Sequence, residues 1–259
     1  AKLLKHNQKR EHGTGHPIKM HTLVDLRGNL PVSVYLTSAS VNDVKALDDL
    51  YIEPSAIYLM DRGYVDFNRL FKLITKKNAF FVTRAKDNML FEVVSEAEVD
   101  KSTGIISDER IKLTGLHTAK WYPEELRMVT YEDYATSKVY RFLTNNMEYE
   151  ALTISELYRE RWNVELYFKW IKQHLHIKSF YGTSENAIYL QIWIAICTYL
   201  LLAYAKKVMH IDQSLHTISK NVGLFLTDKT PLNELFNKAV PTEETEDWLY
   251  PSLFRPDDF

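Results

Sequence analysis

The stretch that decides the fold is Ala56-Ile57-Tyr58-Leu59-Met60-Asp61, a run of five apolar residues that ends on a carboxylate. A short, continuous apolar run predicts a β-strand that is buried on both faces, as in the middle of a parallel sheet. The run stops at Asp61. The sequence therefore places a carboxylate where a central strand ends.

The residues before this strand predict a hairpin and a short helix. Residues 18–25 and 30–37 are two strand candidates joined by the turn sequence Arg27-Gly28-Asn29, which together predict an antiparallel hairpin. Asn42 predicts the N-cap of a helix that runs to about Leu50. Hairpin and helix thus precede the central strand.

The residues after the central strand continue an α/β pattern and then change character. Asp66 predicts the cap of a second helix, and residues 79–83 predict another buried strand. This order of elements suggests a mixed sheet with parallel central strands and right-handed crossovers. Residues 87–149 hold short strand candidates between turn-rich stretches, which indicates a β-rich insertion. From residue 153 onward the pattern is helical.

Composition limits the possible classes of protein. The 259 residues are 46% hydrophobic and 25% charged, which is an ordinary globular balance. The single cysteine, Cys197, excludes a disulfide framework within one chain and fits a reducing, cytoplasmic setting. The longest apolar stretch, residues 192–205, is too short to cross a bilayer and predicts a buried core helix, so no membrane partner is expected. The net charge of −2 gives no overall indication of nucleic-acid binding.

One face of the first long helix is rich in polar side chains. Thr153 and Glu156 have the spacing of a capping box, which predicts that the helix begins there and runs to about residue 176. On the helical wheel six residues then share a stripe about 80° wide, flanked by apolar residues. A salt-bridged surface helix is the alternative, because i, i+4 pairs of opposite charge are common on exposed faces. The six residues are Tyr158, Arg161, Glu165, Lys169, Lys172 and His176.

The spacing of four of these residues resembles a known family. Tyr158, Arg161, Glu165 and Lys172 match the Y-R-E-K signature of bacterial cut-and-paste insertion-sequence transposases, which carry a DDE catalytic triad on an RNase H-like fold. The resemblance extends in order from about residue 10 to 230. It includes IKMHTLVDLRG at residues 18–28, YLMDRGYVD at 58–66, FFVTRAK at 80–86 and FKWIKQHLHIK at 168–178.

The resemblance implies a fold and a set of metal ligands. It implies an α/β fold, an RNase H-like mixed sheet with flanking helices and a β-rich insertion before the last catalytic helix. Asp61 would be the second catalytic Asp and Glu165 the last acid, and both would be metal ligands. Cutting a phosphodiester calls for two Mg²⁺ (or Mn²⁺) ions, and carboxylates suit these hard cations.

The resemblance also implies a DNA-binding surface. The partners would be the terminal inverted repeats of the transposon and target DNA, met by a homodimer on paired ends in the bacterial cytoplasm, in association with the nucleoid. Arginine would meet phosphate oxygens through its planar fork and lysine as a point charge. The candidate DNA-binding residues are Tyr158, Arg161, Lys172, Arg62, Arg84, Lys86 and Lys169.

The third acid of the triad has no candidate in this sequence. The family's first Asp lies on the first strand of the sheet, whereas residues 1–24 contain no Asp and Asp25 and Asp43 fall at a turn and a helix start. We therefore expect that first strand and Asp to lie upstream of Ala1, and this fragment to be inactive alone.

The predicted organisation has four parts. Residues 1–86 would form the first part of the RNase H-like core, 87–149 the insertion, 150–230 the helical second part and 231–259 an acidic tail. Two other functions stay open at this point. They are a non-catalytic DNA-binding or assembly module and an RNase H-like nuclease of different biology.

Overall fold

The structure, a computed structural model, describes residues 18–38, 40–175, 181–182, 184–225, 227, 229, 234 and 236. The chain divides into two compact units, and among the described residues the first ends at Glu165 and the second begins at Leu166. The first unit contains all the strands described below. The domain boundaries expected from the sequence stay a prediction.

The first unit opens with the predicted hairpin. Strand β1 (Ile18–Asp25) pairs antiparallel with β2 (Leu30–Ser38). Asn42 caps the following helix by accepting a hydrogen bond from the Val44 amide, as predicted. That helix is a 3₁₀ helix over Asp43–Leu47, and is therefore shorter than expected.

The central strands are those that the sequence predicts. Strand β3 (Ile57–Met60) runs parallel to β4 (Phe80–Arg84). Successive side chains of a strand point to opposite faces, and here both faces are covered: Tyr58 and Met60 join one hydrophobic cluster, whereas Leu59 joins another. The confirmed prediction of a doubly buried strand explains why the run lacks polar alternation.

The connection between β3 and β4 is helical but irregular. Asp66 caps α1 (Phe67–Arg69), and its carboxylate accepts from the Arg69 amide at 3.0 Å. The helix continues as a π-helical turn over Leu70–Ile74 and a 3₁₀ turn over Thr75–Lys77. Its buried side chains include Leu70 and Ile74, so the predicted helix packs against the core, although most of it is not α-helical.

The strands of the insertion extend the core sheet. Strand β8 pairs antiparallel with β4, so that the strand order is β3-β4-β8-β7-β6-β5. The outermost strand, β5, contains an irregularity between Val93 and Ser95 where it pairs with β6. A short helix, α2 (Thr118–Trp121), lies between β6 and β7. The strand bounds are Phe91–Glu96 for β5, Ile105–Leu113 for β6, Leu126–Asp133 for β7 and Lys138–Thr144 for β8. This six-stranded mixed sheet with flanking helices confirms the prediction of an RNase H-like α/β fold.

The helical region that follows differs from the prediction in two ways. It begins at Ala151 with Glu150 at the N-cap and no side-chain cap, so the capping box predicted at Thr153 is wrong. It is also divided at Arg161 into α3 (Ala151–Glu160) and α4 (Trp162–His174). At the division, the Arg161 amide donates to the carbonyl of Tyr158, three residues back, which tightens the backbone as in a 3₁₀ turn.

The second unit contains two further helices, α5 (Glu185–Val208) and α6 (Leu215–Leu224), capped by Ser184 and Ser214. The prediction of a buried core helix is only half correct for α5. One side is buried, with Ile192 and Tyr199 among others, but Leu190, Ile194 and Leu201 on another side are exposed. α5 is 24 residues long and therefore extends beyond the apolar stretch 192–205 at both ends. By length and composition it could cross a membrane, a test that core helices of soluble proteins also pass.

Candidate active site

Asp61 lies where the sequence predicts, directly after the last residue of β3. Its backbone is extended, and its Oδ1 accepts a hydrogen bond from the Arg62 amide at 2.9 Å. This contact caps a short 3₁₀ helix over Arg62–Tyr64. The carboxylate is thereby fixed at the carboxyl end of a parallel strand, the edge at which open α/β sheets bind ligands.

Glu165 lies in the first turn of α4, one helical turn after Arg161. Its Oε1 accepts a hydrogen bond from Arg161 Nη1 at 2.9 Å. Arg161 is buried, and Glu165 is about one-fifth exposed. This i, i+4 pair was considered as part of a solvated surface stripe, but a buried guanidinium does not fit that alternative.

Arg161 links the two acids that the sequence separates. Burial acts to lower the pKa of its guanidinium, but the nearby Tyr158, Glu165 and Asp61 outweigh this effect, and the pKa is raised above its ordinary value. The carboxylates of Asp61 and Glu165 are therefore close enough to the same buried cation to stabilise its charge. The first unit brings both predicted acids to one site.

Tyr158 is buried at this site rather than presented to solvent. It is only 1% exposed, and its ring packs against Phe142 with centroids 4.9 Å apart. Its hydroxyl has no hydrogen-bond partner among the residues that the structure describes. Burial, opposed by the charge of Arg161, raises the pKa of Tyr158 to about 12. The phenol is therefore a neutral donor close to the two acids.

Three basic residues predicted to bind DNA surround the end of the sheet. Arg62 Nη1 donates to the Asp87 carboxylate at 3.1 Å. The Arg84 guanidinium carbon lies 5.3 Å from the centre of the Tyr140 ring, a cation–π distance. Lys86 Nζ donates to the carbonyl of Val65 at 2.9 Å, which ties the end of β4 to the loop after Asp61.

The other residues of the predicted stripe belong to the second unit. Lys169 is exposed and Lys172 is half-buried on the later part of α4. His176 lies outside the described residues. Trp170, which flanks the stripe, packs on Tyr199 of α5 with ring centroids 5.2 Å apart, so this tryptophan is a packing residue of its own unit.

Two residues near the site were missed by sequence reasoning. Asp87 accepts a hydrogen bond from Arg62 and a second one from Arg141 Nη2, at 3.4 Å. Arg141 lies on β8, 54 positions away in the chain, and reaches the site because β8 pairs with β4. A single sequence carries no signal for that pairing.

The donor set suits a hard divalent cation but is incomplete within the described residues. Asp61 and Glu165 offer carboxylate oxygens, the ligands that Mg²⁺ and Mn²⁺ prefer. Within the ranges that the structure describes, no three His, Cys, Asp or Glu side chains form a group able to hold a metal ion. Two carboxylates beside a buried arginine are therefore candidate ligands only, and the described residues do not complete a metal site.

The mixed sheet, with Asp61 at the end of a central strand and Glu165 on a later helix, has the RNase H-like arrangement of a DDE domain. Residues 2–201 match the model of the transposase DDE domain family, and the chain belongs to this family.

Several curated relatives agree with this assignment. A Sinorhizobium fredii protein named as a transposase is 36% identical over 198 residues, which cover 75% of this chain and 55% of the relative. A Geobacillus stearothermophilus protein named as the transposase of insertion sequence element IS5377 is 29% identical, over 86% of this chain and 58% of the relative. A Synechocystis protein named for insertion sequence element IS4SA is 26% identical, over 83% and 57%. The chain thus spans little more than half the length of these relatives.

Proposed function

We propose that this chain is the catalytic region of a cut-and-paste DNA transposase of the Y-R-E-K group. It would cut the transposon ends and join the free 3′-hydroxyl to target DNA. The observation that carries the proposal is that Asp61 and Glu165, far apart in sequence, both stabilise the charge of Arg161. Membership of the transposase DDE domain family supports it.

Asp61 and Glu165 are the residues we propose to hold Mg²⁺ or Mn²⁺. Two such ions, when bound, activate the attacking oxygen and stabilise the leaving oxygen. The chain contributes the fixed position of Asp61, whose backbone is part of a capped turn, and that of Glu165, which Arg161 holds by a hydrogen bond. Such preorganisation keeps both carboxylates in place before the substrate arrives.

A third carboxylate would complete the site. Because the described residues include no three-acid group, we propose that the remaining ligand comes from a segment other than these. If that segment lies outside the 259 residues of this chain, the chain would bind metal weakly and would not cut DNA alone.

We propose that the basic residues predicted from the sequence, in the first and in the second unit, bind the phosphate backbone of DNA. Arg161 has a further donor, Nε, without a partner among the described residues, and would serve a phosphate next to the metal. Tyr158 stays a proposed DNA contact, because its hydroxyl has no partner among the described residues and could donate to the same phosphate, although its ring is buried. Phosphate contacts of this kind fix the position of DNA without reading its sequence. The proposed set is Tyr158, Arg62, Arg84, Lys86, Arg161, Lys169 and Lys172.

The partners of the whole protein belong to the same proposal. The protein would bind the terminal inverted repeats as a homodimer on paired ends, and then target DNA, in the bacterial cytoplasm at the nucleoid. Relatives named for insertion sequences support this assignment.

The decisive experiment is cleavage by this chain and by a chain extended upstream. Supercoiled plasmids with and without the inverted repeats are incubated with Mg²⁺ or Mn²⁺, and nicks are mapped. We expect background cleavage from this chain and end-specific nicks from the extended one. Asp61→Asn and Glu165→Gln should each reduce the nicking rate roughly 100-fold or more. Glu160→Gln, a matched change at an exposed residue five positions earlier, should not.

Other outcomes assign other functions. Nicking that ignores the inverted repeats would indicate an RNase H-like nuclease of different biology. The described residues contain no three-acid group, which favours a second candidate, a DNA-binding or assembly module without catalysis. Specific binding of end DNA without any nicking by the extended chain would select it. Robust cleavage by the present chain, abolished in Glu165→Gln, would show that this chain contains the third acid.

A further inference from the structure

The carboxylate of Asp87 lies between two arginines at the edge of the candidate site. One oxygen, Oδ2, is 3.1 Å from Arg62 Nη1, and the other, Oδ1, is 3.4 Å from Arg141 Nη2. The two guanidinium groups come from different elements, the turn after β3 and strand β8. A single anion with two oxygens therefore bridges them.

Both arginines are held on ordered backbone. Arg62 directly follows Asp61 and begins the 3₁₀ turn that Asp61 caps. The carbonyl of Arg141 accepts a hydrogen bond from the Ala85 amide at 2.8 Å, which fixes β8 beside the end of β4. The gap between the two side chains is thus set by the sheet and lies next to a catalytic acid.

The bridging carboxylate itself is easily displaced. The Asp87 side chain is 83% exposed, and Arg62 and Arg141 are 47% and 37% exposed. Ion pairs with this exposure contribute little to stability, because water solvates the separated charges almost as well. A competing anion could replace Asp87 at small cost.

The chemistry of the gap fits a phosphodiester. Like a carboxylate, a backbone phosphate presents two charged oxygens, and guanidinium groups bind both anions through short, charge-assisted hydrogen bonds. A carboxylate that accepts from two arginines is thus a local substitute for a phosphate.

We infer that Arg62 and Arg141 form a binding site for one DNA backbone phosphate beside Asp61, which Asp87 occupies until DNA displaces it. This inference rests on the proposed function and adds two residues to it. Arg141 binds phosphate and Asp87 competes with it. Through Arg141 on strand β8, the insertion would thus contribute a DNA contact to the catalytic region.

The inference predicts opposite effects for two neutralising substitutions. Asp87→Asn removes the competing charge and should tighten DNA binding several-fold. Arg141→Gln should weaken it and reduce the slope of log Kobs against log salt by about 1, because one phosphate contact is lost. In the double variant the gain from Asp87→Asn should shrink, because one of the two released arginines is gone.

The test is fluorescence anisotropy of a labelled DNA duplex across a salt series, with the full chain and without divalent metal. Two controls change the same charges on exposed residues of the same insertion. Glu92→Gln matches the acid and Arg110→Gln matches the base. Equal thermal unfolding midpoints would exclude loss of fold.

Each outcome separates the phosphate site from the proposed function. If Asp87→Asn tightens binding no more than Glu92→Gln, the anion site is refuted while cleavage by the extended chain is unaffected. Equal weakening by Arg141→Gln and Arg110→Gln would refute it as well. If the wild-type chain fails to bind any duplex, both the phosphate site and DNA binding by this chain are wrong.

Discussion

Two buried arginines of the first unit have the same exposure and very different surroundings. The side chains of Arg127 and Arg161 are 9% and 8% exposed. Arg127 is saturated: both Nε and Nη2 donate to Asp108 at 2.7 Å, and Nη1 donates to the carbonyls of Tyr149 and Asn146. Arg161 makes one hydrogen bond, to Glu165, and its Nε lacks a partner within the described part of the chain.

This is the difference expected between an arginine that stabilises the fold and an arginine that binds a ligand. A buried cation whose donors are paired stabilises the fold as long as its partner is present. A buried donor without a partner lowers the stability of the fold, and a ligand that accepts from it can offset that loss. Arg127 ties the insertion to the loop before α3, and Arg161 lies between the candidate metal ligands. The following predictions test this contrast.

The largest effect on stability is expected at Arg127. Arg127→Met should reduce the free energy of unfolding by about 3–5 kcal/mol, because it leaves the Asp108 charge and two buried carbonyls without their donor. Urea denaturation measures this loss. A loss below about 1 kcal/mol would mean that water replaces the arginine and that the pair is not structural.

A smaller effect on stability and a larger one on DNA binding are expected at Arg161. Arg161→Met removes an unsatisfied buried donor and leaves Glu165, which is partly exposed, to water. We expect a loss of about 1–2 kcal/mol in the free energy of unfolding. Fluorescence anisotropy should show weaker DNA binding, and the slope of log Kobs against log salt should be reduced by about 1. Unchanged binding would place Arg161 with Arg127 as a structural residue.

The raised pKa of Tyr158 should make the free energy of unfolding fall by about 1 kcal/mol at alkaline pH. Burial raises its pKa to about 12, whereas an unfolded tyrosine has a pKa near 10. The folded state therefore holds the phenolic proton more tightly, and its stability falls as the pH rises from about 10 toward 12. Between pH 9 and pH 11 the free energy of unfolding, measured by urea denaturation, should fall by about 1 kcal/mol less in Tyr158→Phe than in wild type.

The Tyr158→Phe comparison has an internal control. At pH 7 the free energy of unfolding of this variant should lie within about 0.5 kcal/mol of the wild-type value, since the lost hydroxyl has no partner among the described residues. Parallel decline of both proteins above pH 10 would contradict the raised pKa.

The smallest effect is expected at an exposed ion pair. Lys76 Nζ lies 2.9 Å from Glu124 Oε1, and both side chains are about half exposed. Lys76→Gln should change the free energy of unfolding by less than about 1 kcal/mol. A loss as large as that of Arg127→Met would show that burial does not determine how much an ion pair of this protein contributes to stability.

The sequence predicts the site where a local pattern determines position. Asp61 follows an apolar run that can only be a buried strand, and Glu165 belongs to a fixed spacing on a helix. The fold confirms the buried strand before Asp61 and its parallel pairing with the next strand. Tertiary contacts decide the rest. Asp87 and Arg141 meet only because β4 and β8 pair, and such pairing leaves no trace in local periodicity.

The helices show a second limit of local patterns. The helical periodicity runs through Arg161 without interruption, so the division between α3 and α4 could not be predicted from it. In α5 apolar residues occur on all sides, and composition alone does not tell which side is covered. The capping box failed because the helix had already begun at Ala151, two residues earlier.

The irregular outer strand of the sheet has a consequence for the behaviour of the protein at high concentration. β5 is an edge strand with Val93 and Val94 exposed, a pattern that invites strands of other molecules to add to it. The bulge between Val93 and Ser95 breaks the regular row of amide and carbonyl groups, and Glu92 and Glu96 add repulsion. Together they protect the molecule against edge-to-edge aggregation.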